Sequence, residues 1–162
     1  MNCEPLKPDS SISVQRATAP QADAAFALIE EYYEAVGVVV RDDRAALERY
    51  LASADSPIWI ATADAAPAGC VMLRPLPAIP HAAEVKRLYV RPAFRGLGLA
   101  HALMQAAEQH ARASALGWLY LDTKDDLHAA IHFYLGTGYQ PCPRYNDNPQ
   151  ATLFLRKRLS PV

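Results

Sequence analysis

One short segment, RGLGLAHALM, constrains the fold of this chain more than any other. It runs from Arg95 to Met104 and joins a predicted strand at 82–90 to a predicted helix at 98–114. The first turn of a helix carries unpaired backbone N–H groups at the positive end of the helix dipole. Gly96 and Gly98 allow the backbone before it to turn so that N–H groups point inward, and Arg95 adds a positive charge. The segment therefore predicts an anion site, and a diphosphate suits it best.

Three diphosphate-binding patterns can be compared with this segment. A Walker loop needs a lysine after its glycines, and no lysine follows here. A dinucleotide-binding loop counted from Gly96 needs glycine or alanine where the chain has His101, which disfavours a nicotinamide-dependent oxidoreductase. The third pattern is Gln or Arg, two residues, Gly, one residue, then Gly or Ala. Arg95, Gly98 and Ala100 satisfy it.

This third pattern, with its flanking strand and helix, resembles the coenzyme A pyrophosphate signature of the GNAT acetyltransferase superfamily. A second motif farther along, AAIHFYLGTGYQP, is similar to a later helix of that superfamily, in which an alanine precedes an aromatic–tyrosine pair. Three more segments, GCVMLRPL, LDT and YNDNP, resemble a bacterial subgroup of the superfamily that has no well-defined substrate. The resemblance covers residues 12–159.

Hydrophobic periodicity predicts one α/β (α+β) domain over residues 12–162, after a flexible N-terminal tail at 1–11. The predicted order is β-α-α-β-β-β-α-β-α-β-β. Six of the seven strands are located at 12–18, 57–64, 68–76, 82–90, 118–123 and 151–159, and the helices at 20–36, 41–52, 98–114 and 125–138. The strands at 57–64 and 68–76 form a hairpin, and Asp125 or Asp126 caps the last helix. The resemblance implies a mixed, mostly antiparallel central sheet with a splayed pair of parallel strands, flanked by about four helices.

Composition argues against several classes of partner. The 162 residues carry 16 basic and 17 acidic side chains, so no net field favours nucleic acid or an anionic membrane. The three cysteines, Cys3, Cys70 and Cys142, are widely spaced and lack a metal-binding pattern, which is typical of reduced thiols. The chain shows neither a secretory signal nor an apolar run long enough to cross a membrane. We therefore expect a cytoplasmic protein without a metal site.

The resemblance also implies a reaction and a set of cofactor-binding residues. The reaction is the direct transfer of an acetyl group from acetyl-CoA to a primary amine of a small molecule or peptide, in a ternary complex, by a monomer or homodimer. Backbone groups along the pantetheine arm would come from Leu88, Tyr89 and Val90, and the Leu88 N–H would bond the thioester carbonyl. The pyrophosphate would lie on Arg95, Gly96, Leu97, Gly98, Leu99 and Ala100.

Two residues are candidates for catalysis. Tyr134, in the aromatic–tyrosine pair, is expected to lie near the sulfur and to protonate the leaving thiolate. Glu84 resembles, by its position before Arg95, a glutamate that acts as a base in several members of the superfamily. An ion pair between Glu84 and Lys86, two residues along the same strand face, explains Glu84 equally well. A water chain without a dedicated base is a third alternative.

The acceptor-binding side is less well defined by the sequence. Many relatives have an asparagine where this chain has Leu127, so a side-chain contact to the cofactor is not expected there. The first two helices and the 141–150 loop would line the acceptor side, with Glu30, Glu31, Tyr32, Tyr33, Tyr145, Asn146, Asp147 and Asn148. These groups suit a cationic amine and equally suit an ordinary hydrated surface. A non-catalytic acyl-CoA-binding sensor or regulatory module is the alternative function, and it has no need of Tyr134.

Overall fold

The computed structural model describes residues 11–161, and within them seven strands and four helices form the fold. The tail predicted at 1–11 lies outside the described residues, except for Ser11. The strands are β1 (Ile12–Arg16), β2 (Ile58–Ala63), β3 (Ala66–Pro75), β4 (Ala82–Val90), β5 (Trp118–Thr123), β6 (Gln140–Pro141) and β7 (Leu153–Arg158). They form one sheet in the order β1-β2-β3-β4-β5-β7-β6. The helices are α1 (Ala22–Val36), α2 (Arg44–Ala52), α3 (Leu99–Ala113) and α4 (His128–Gly136). The predicted fold class and element order are confirmed.

The sheet separates two apolar clusters. Helices α1 and α2 cover one face, where Cys70 and Met72 of β3 are buried. Helices α3 and α4 cover the other face, where Val71 and Leu73 of the same strand are buried. This division follows from the alternation of side chains along a strand. It also means that each strand residue can be assigned to one of the two faces.

Strands β4 and β5 are parallel neighbours that pair only at their first residues. The register runs from Ala82 opposite Trp118 to Glu84 opposite Tyr120, and no pairing between the two strands follows it. Strand β5 continues to pair with β7 as far as Thr123. An opening therefore separates residues 85–90 from residues 121–123, and we call it the β4–β5 gap. Its presence confirms the predicted splayed pair.

Strand β4 contains a bulge next to this gap. Met72 lies opposite Lys86 but Cys70 lies opposite Tyr89, so β4 has one more residue than β3 between these pairs. The bulge includes Arg87, whose φ of 56° is left-handed. Since one extra residue reverses the alternation, the residues that face α3 are 83 and 85 before the bulge and 88 and 90 after it.

Three local predictions needed correction or refinement. The turn of the β2–β3 hairpin is the pair Asp64–Ala65, both with positive φ, so β3 begins earlier than predicted. Helix α2 begins at Arg44 because the Asp43 carboxylate accepts a hydrogen bond from the backbone N–H of Ala46. The prediction that Asp125 or Asp126 caps α4 was wrong: the N-cap is Leu127, and no side chain caps this helix end.

Candidate active site

The 95–100 loop has the geometry expected of an anion site. Gly96 and Gly98 have φ of 82° and 80°, and Gly98 is the N-cap of α3. A Cβ at either position would meet no atom within 4 Å, so the left-handed backbone, and not crowding, is what requires glycine. Within residues 11–161, no group accepts a hydrogen bond from the backbone N–H groups of residues 98–101. These four donors at a helix N-terminus suit an anion.

A cavity of about 270 Å³ lies beside this loop. Six of the predicted cofactor residues line it: Val90, Arg95, Gly96, Gly98, Leu99 and Ala100. The other lining residues are Phe94, His101 and Phe133. The rings of His101 and Phe133 meet edge to face at 6.0 Å, so α3 and α4 together close one side of the cavity. His101 lies one residue beyond the motif of Arg95, Gly98 and Ala100, so the sequence did not predict that it lines the cavity.

The remaining predicted cofactor residues differ in where their side chains point. Leu88 packs against the apolar cluster under α3 and α4, on the same side as Val90. Tyr89 packs in the cluster under α1, so only its backbone can contribute on the α3 side. Leu97 packs against the α3 cluster as well, which leaves its backbone in the loop. These positions agree with a binding mode in which the backbone of the strand and loop supplies the contacts.

Tyr134 is buried between two aromatic rings. Its ring lies 5.7 Å from that of Phe133 and 5.8 Å from that of Tyr139. In the described part of the chain, Tyr134 contributes only backbone groups to hydrogen bonds, so its hydroxyl has no partner. Burial raises the pKa of Tyr134 far above its ordinary value, and the nearby Tyr32 and Asp122 raise it further. The hydroxyl is therefore protonated at neutral pH.

Glu84 lies in a buried polar cluster at the closed end of the β4–β5 gap. Its carboxylate is 3.3 Å from the Lys86 ammonium and accepts a hydrogen bond of 3.0 Å from the Asn146 side chain. Only 7% of Glu84 is exposed, so the pair with Lys86 is buried and does not lie on an exposed strand face. The buried hydroxyl of Tyr145 lies beside Glu84, which raises the pKa of Tyr145 in addition to the larger effect of burial. The ion pair is thus present, and catalysis by Glu84 stays a prediction.

Asp122 completes this cluster and was not among the predicted site residues. Its carboxylate lies 3.3 Å from the Lys86 ammonium and accepts hydrogen bonds from the side chains of Asn146, at 2.6 Å, and Asn148, at 3.3 Å. The predicted loop residues Asn146 and Asn148 therefore reach the gap. Asp122 belongs to the LDT segment of the resemblance, but no role was predicted for it, because its proximity to Lys86 depends on the pairing of two strands that are distant in sequence.

The other residues predicted to line the acceptor side fall into different environments. Tyr32 is half-buried, and burial, opposed by Arg87 and reinforced by Asp122, raises its pKa to about 12. Tyr33 is buried in the α1 cluster and is not available to a ligand. Glu30 and Asp147 are exposed, and the remaining residue, Glu31, binds Arg91 at 2.9 Å.

A second ionic network lies on the same face of the sheet, nearer to α2. The Asp42 carboxylate binds the guanidinium groups of both Arg74 and Arg87. Burial alone would raise the pKa of Asp42, but Arg87 and Arg74 together lower it below its ordinary value. The Arg87 guanidinium also stacks on the Tyr33 ring, 5.2 Å from its centroid. This network fixes the α1–α2 connection against β3 and β4.

Residues 11–161 contain neither a metal-binding cluster nor a membrane-spanning helix. In this part of the chain, no group of three or more His, Cys, Asp or Glu side chains could hold a metal ion. Of the helices in the same range, none is long and apolar enough to cross a membrane. Cys70 is buried, which raises the pKa of its thiol to about 12, and Cys142 is half-buried.

Comparisons with known proteins agree with this geometry. Residues 22–139 match the family model of the acetyltransferase (GNAT) family. The chain is 32% identical to an uncharacterized N-acetyltransferase of Schizosaccharomyces pombe, over 96% of this chain and 99% of that protein. A GNAT-family acetyltransferase from Staphylococcus aureus has a similar fold, with a TM-score of 0.78, 19% identity, and coverage of 93% and 100% of the two chains. The PaiA N-acetyltransferase of Thermoplasma acidophilum, solved in complex with coenzyme A, has a TM-score of 0.76 and 16% identity, covering 91% and 99%.

Proposed function

This chain belongs to the GNAT acetyltransferase family and is an N-acetyltransferase; on that premise, we propose that its acceptor is a primary amine of a small molecule or peptide. Direct transfer from acetyl-CoA in a ternary complex is part of the proposal. One observation supports it: the unpartnered N–H groups of residues 98–101 border a cavity that Val90 also lines, next to the β4–β5 gap. We place the pyrophosphate at these N–H groups and the acid at the buried Tyr134, which is close enough to Asp122 of β5 for the Asp122 charge to raise its pKa.

The proposed cofactor site uses backbone groups of the chain. The N–H groups at the start of α3 and the Arg95 guanidinium would hold the pyrophosphate of acetyl-CoA, which supplies the activated acetyl group. The backbone of residues 88–90 lacks a strand partner on the side of β5, and apart from the Val90 carbonyl, which accepts a hydrogen bond from Arg95 Nε at 3.2 Å, it would bond the pantetheine arm. The N–H of Leu88 would stabilise the negative charge that develops on the thioester oxygen.

Proton transfer is assigned to two side chains. The Tyr134 hydroxyl, which is protonated at neutral pH and has no described hydrogen-bond partner, would donate its proton to the leaving thiolate. Glu84 would accept the proton of the acceptor amine through a water molecule, because its carboxylate lies at the closed end of the gap. A water chain without Glu84 is the alternative for this second step.

The cellular setting follows from the same proposal. We place the enzyme in the cytoplasm with reduced cysteines, acting as a monomer or homodimer without nucleic acid or membrane partners. Within residues 11–161, Cys70 and Cys142 form no disulfide. The near balance of 16 basic and 17 acidic residues supports the absence of a nucleic-acid partner.

The experiment that tests the proposal is thiol release from acetyl-CoA in the presence of primary amines. The full chain is incubated with a panel of alkylamines, amino acids and short peptides, and each acetylated product is identified by mass spectrometry. We expect amine-dependent release of one thiol for each acetyl group transferred. Cofactor binding without amine-dependent release would instead favour the acyl-CoA sensor.

A further inference from the structure

Asp122 lies in the open part of the β4–β5 gap, beyond the last paired residues. Tyr120 is the last residue of β5 that pairs with β4, and Asp122 follows it by two residues on the same face. Glu84 pairs in register with Tyr120 and so lies at the closed end. Of the two carboxylates in the cluster, Asp122 is therefore nearer to the place where a ligand could enter.

The cluster around Asp122 has room for one more positive charge. Glu84 and Asp122 carry two negative charges, and Lys86 is the cation that contacts both, at 3.3 Å from each carboxylate. In the second network, Arg74 and Arg87 bind Asp42 and not Asp122. Glu84, Lys86 and Asp122 taken together thus carry one negative unit, whereas Asp42, Arg74 and Arg87 of the second network carry one positive unit. A bound ammonium group would give Asp122 a cation that it does not share with Glu84.

The two carboxylate oxygens of Asp122 accept different numbers of hydrogen bonds. Oδ2 accepts hydrogen bonds from Asn146 at 2.6 Å, Asn148 at 3.3 Å and Lys86 at 3.3 Å. Oδ1 has a single contact, 3.4 Å from the Lys86 ammonium. Because a carboxylate oxygen can accept two hydrogen bonds, Oδ1 retains the capacity to bind another donor. The asparagines hold the carboxylate in place and leave that oxygen free.

Two tyrosines of the helices lie near Asp122. Tyr134 is 9% exposed and its hydroxyl has no hydrogen-bond partner in the described part of the chain. After the larger effect of burial, the Asp122 charge raises the pKa of Tyr134, and it raises that of Tyr32 against the stronger opposing effect of Arg87. Asp122 of β5 is therefore close to the proposed acid on α4 and to a second tyrosine on α1.

We propose that Oδ1 of Asp122 binds the ammonium group of the acceptor, so that the enzyme selects amines that are positively charged in solution. This inference rests on the proposed function and adds to it the acceptor's charge and the residue that recognises it. Glu84 is less suited to this contact, because Lys86, Asn146 and Tyr145 surround it at the closed end. Asp122 then selects and orients the amine before its proton is lost.

The test compares charged and neutral acceptors on two variants. An amine that the wild type acetylates is measured beside its analogue difluorinated at the β-carbon, at a pH where the parent is an ammonium and the analogue is neutral. For Asp122→Asn, KM for the parent amine should rise about tenfold or more. KM for the neutral analogue and for acetyl-CoA should stay within about threefold, since neither depends on the lost charge.

Asp125→Asn is the matched control, because Asp125 is an exposed carboxylate just beyond the same strand end. It should change none of these constants, and a rise in the parent KM equal to that of Asp122→Asn would overturn the inference. If Asp122→Asn does not fold, the wild type alone decides, because it must bind the parent amine more tightly than the neutral analogue. If the wild type acetylates amines without this preference, the inference is overturned and the proposed function stands. A wild type that acetylates no amine overturns the proposed function as well.

Discussion

At the scale of single residues, Tyr134 combines burial with an unpartnered hydroxyl. A buried tyrosine ordinarily finds a hydrogen-bond partner, as Tyr139 does with the Glu108 carboxylate at 3.5 Å. Tyr134 has none in residues 11–161, although its ring packs against that of Tyr139. The Tyr134 hydroxyl is not fully enclosed by the described residues, so it can bond water or a ligand, unlike that of Tyr139.

The first prediction concerns this hydroxyl. Tyr134→Phe should lower kcat roughly 10²–10⁴-fold, because the leaving thiolate loses its proton donor. The ring contacts remain, so affinity for coenzyme A should not change. Steady-state kinetics and a coenzyme A titration measure the two effects. Tyr139→Phe is the control, since it removes the hydroxyl of a similarly buried tyrosine, and an equal loss of kcat in both variants would assign Tyr134 a packing role.

The second prediction concerns Glu84. Glu84→Gln should lower kcat/KM at neutral pH and alter the acidic limb of the pH–rate profile, because that limb reports the group that must be deprotonated. The loss of a buried contact to Lys86 should also cost about 1–3 kcal/mol of stability. An acidic limb of unchanged shape, together with the stability loss, would show that Glu84 is an ion-pair partner only.

Residues within a motif could be predicted from the sequence, and residues brought together by the sheet could not. Gly98 and Ala100 were predictable because a loop and the helix after it are continuous in sequence. Asp122 and Asn146 approach Glu84 only because β5 lies next to β4 and the 142–152 connection returns over both. Such proximity depends on long-range pairing, and no spacing in the sequence indicates it.

At the scale of elements, the bulge in β4 determines which side chains face the cavity beside the 95–100 loop. The segment AAEVKRLYV predicts a regular strand, and the existence and position of the strand are correct. The bulge was not predictable, because it is a property of the pairing between β4 and β3. Without it, Leu88 and Val90 would face α1, and the cavity beside the 95–100 loop would be lined differently.

Substitution of Gly69, which lies opposite Val90, tests the pairing of β3 with β4. A Cβ at Gly69 would lie 2.6 Å from the backbone oxygen of Tyr89 and 3.3 Å from side-chain atoms of Val90 and Leu103. Gly69→Ala should therefore displace the 88–90 segment, reduce stability by about 1–3 kcal/mol and weaken the binding of coenzyme A. Thermal denaturation with and without coenzyme A measures both effects. Gly117→Ala, where a Cβ meets no atom within 4 Å, should leave both unchanged; equal behaviour of the two variants would contradict the account.

At the scale of the whole molecule, the proposed sites for the two substrates lie on different faces of the sheet. The cavity and the 95–100 loop lie on the face covered by α3 and α4, whereas Glu84, Lys86 and Asp122 lie on the face covered by α1 and α2. The β4–β5 gap connects the two faces. In the proposed mechanism, acetyl-CoA and the acceptor would approach from opposite sides and meet where the strands separate.

The resemblance implied this architecture, and the sequence alone placed most of its elements. The hydrophobic periodicity of the sequence predicted where the helices and strands lie, because the apolar face of each amphipathic element must be buried against the sheet. The short β6 and the N-terminal end of α4 were predicted poorly from the sequence. A two-residue strand is too short to show hydrophobic periodicity, and Leu127 has no side chain that can cap a helix. The acceptor remains the part that the sequence defines least.

The central claim is that the 95–100 loop binds the pyrophosphate of acetyl-CoA, and Gly98→Asp tests it most directly. The variant places a side chain and a negative charge among the N–H donors of residues 98–101. Gly37→Asp is the matched control, because Gly37 has a similar φ of 76° and equally open surroundings but ends α1. The measurement is the shift in unfolding temperature on adding acetyl-CoA. At a concentration 100 times Kd, the wild type and the control should gain about 2.7 kcal/mol, and Gly98→Asp should gain almost none. Equal gains in all three proteins would contradict the claim.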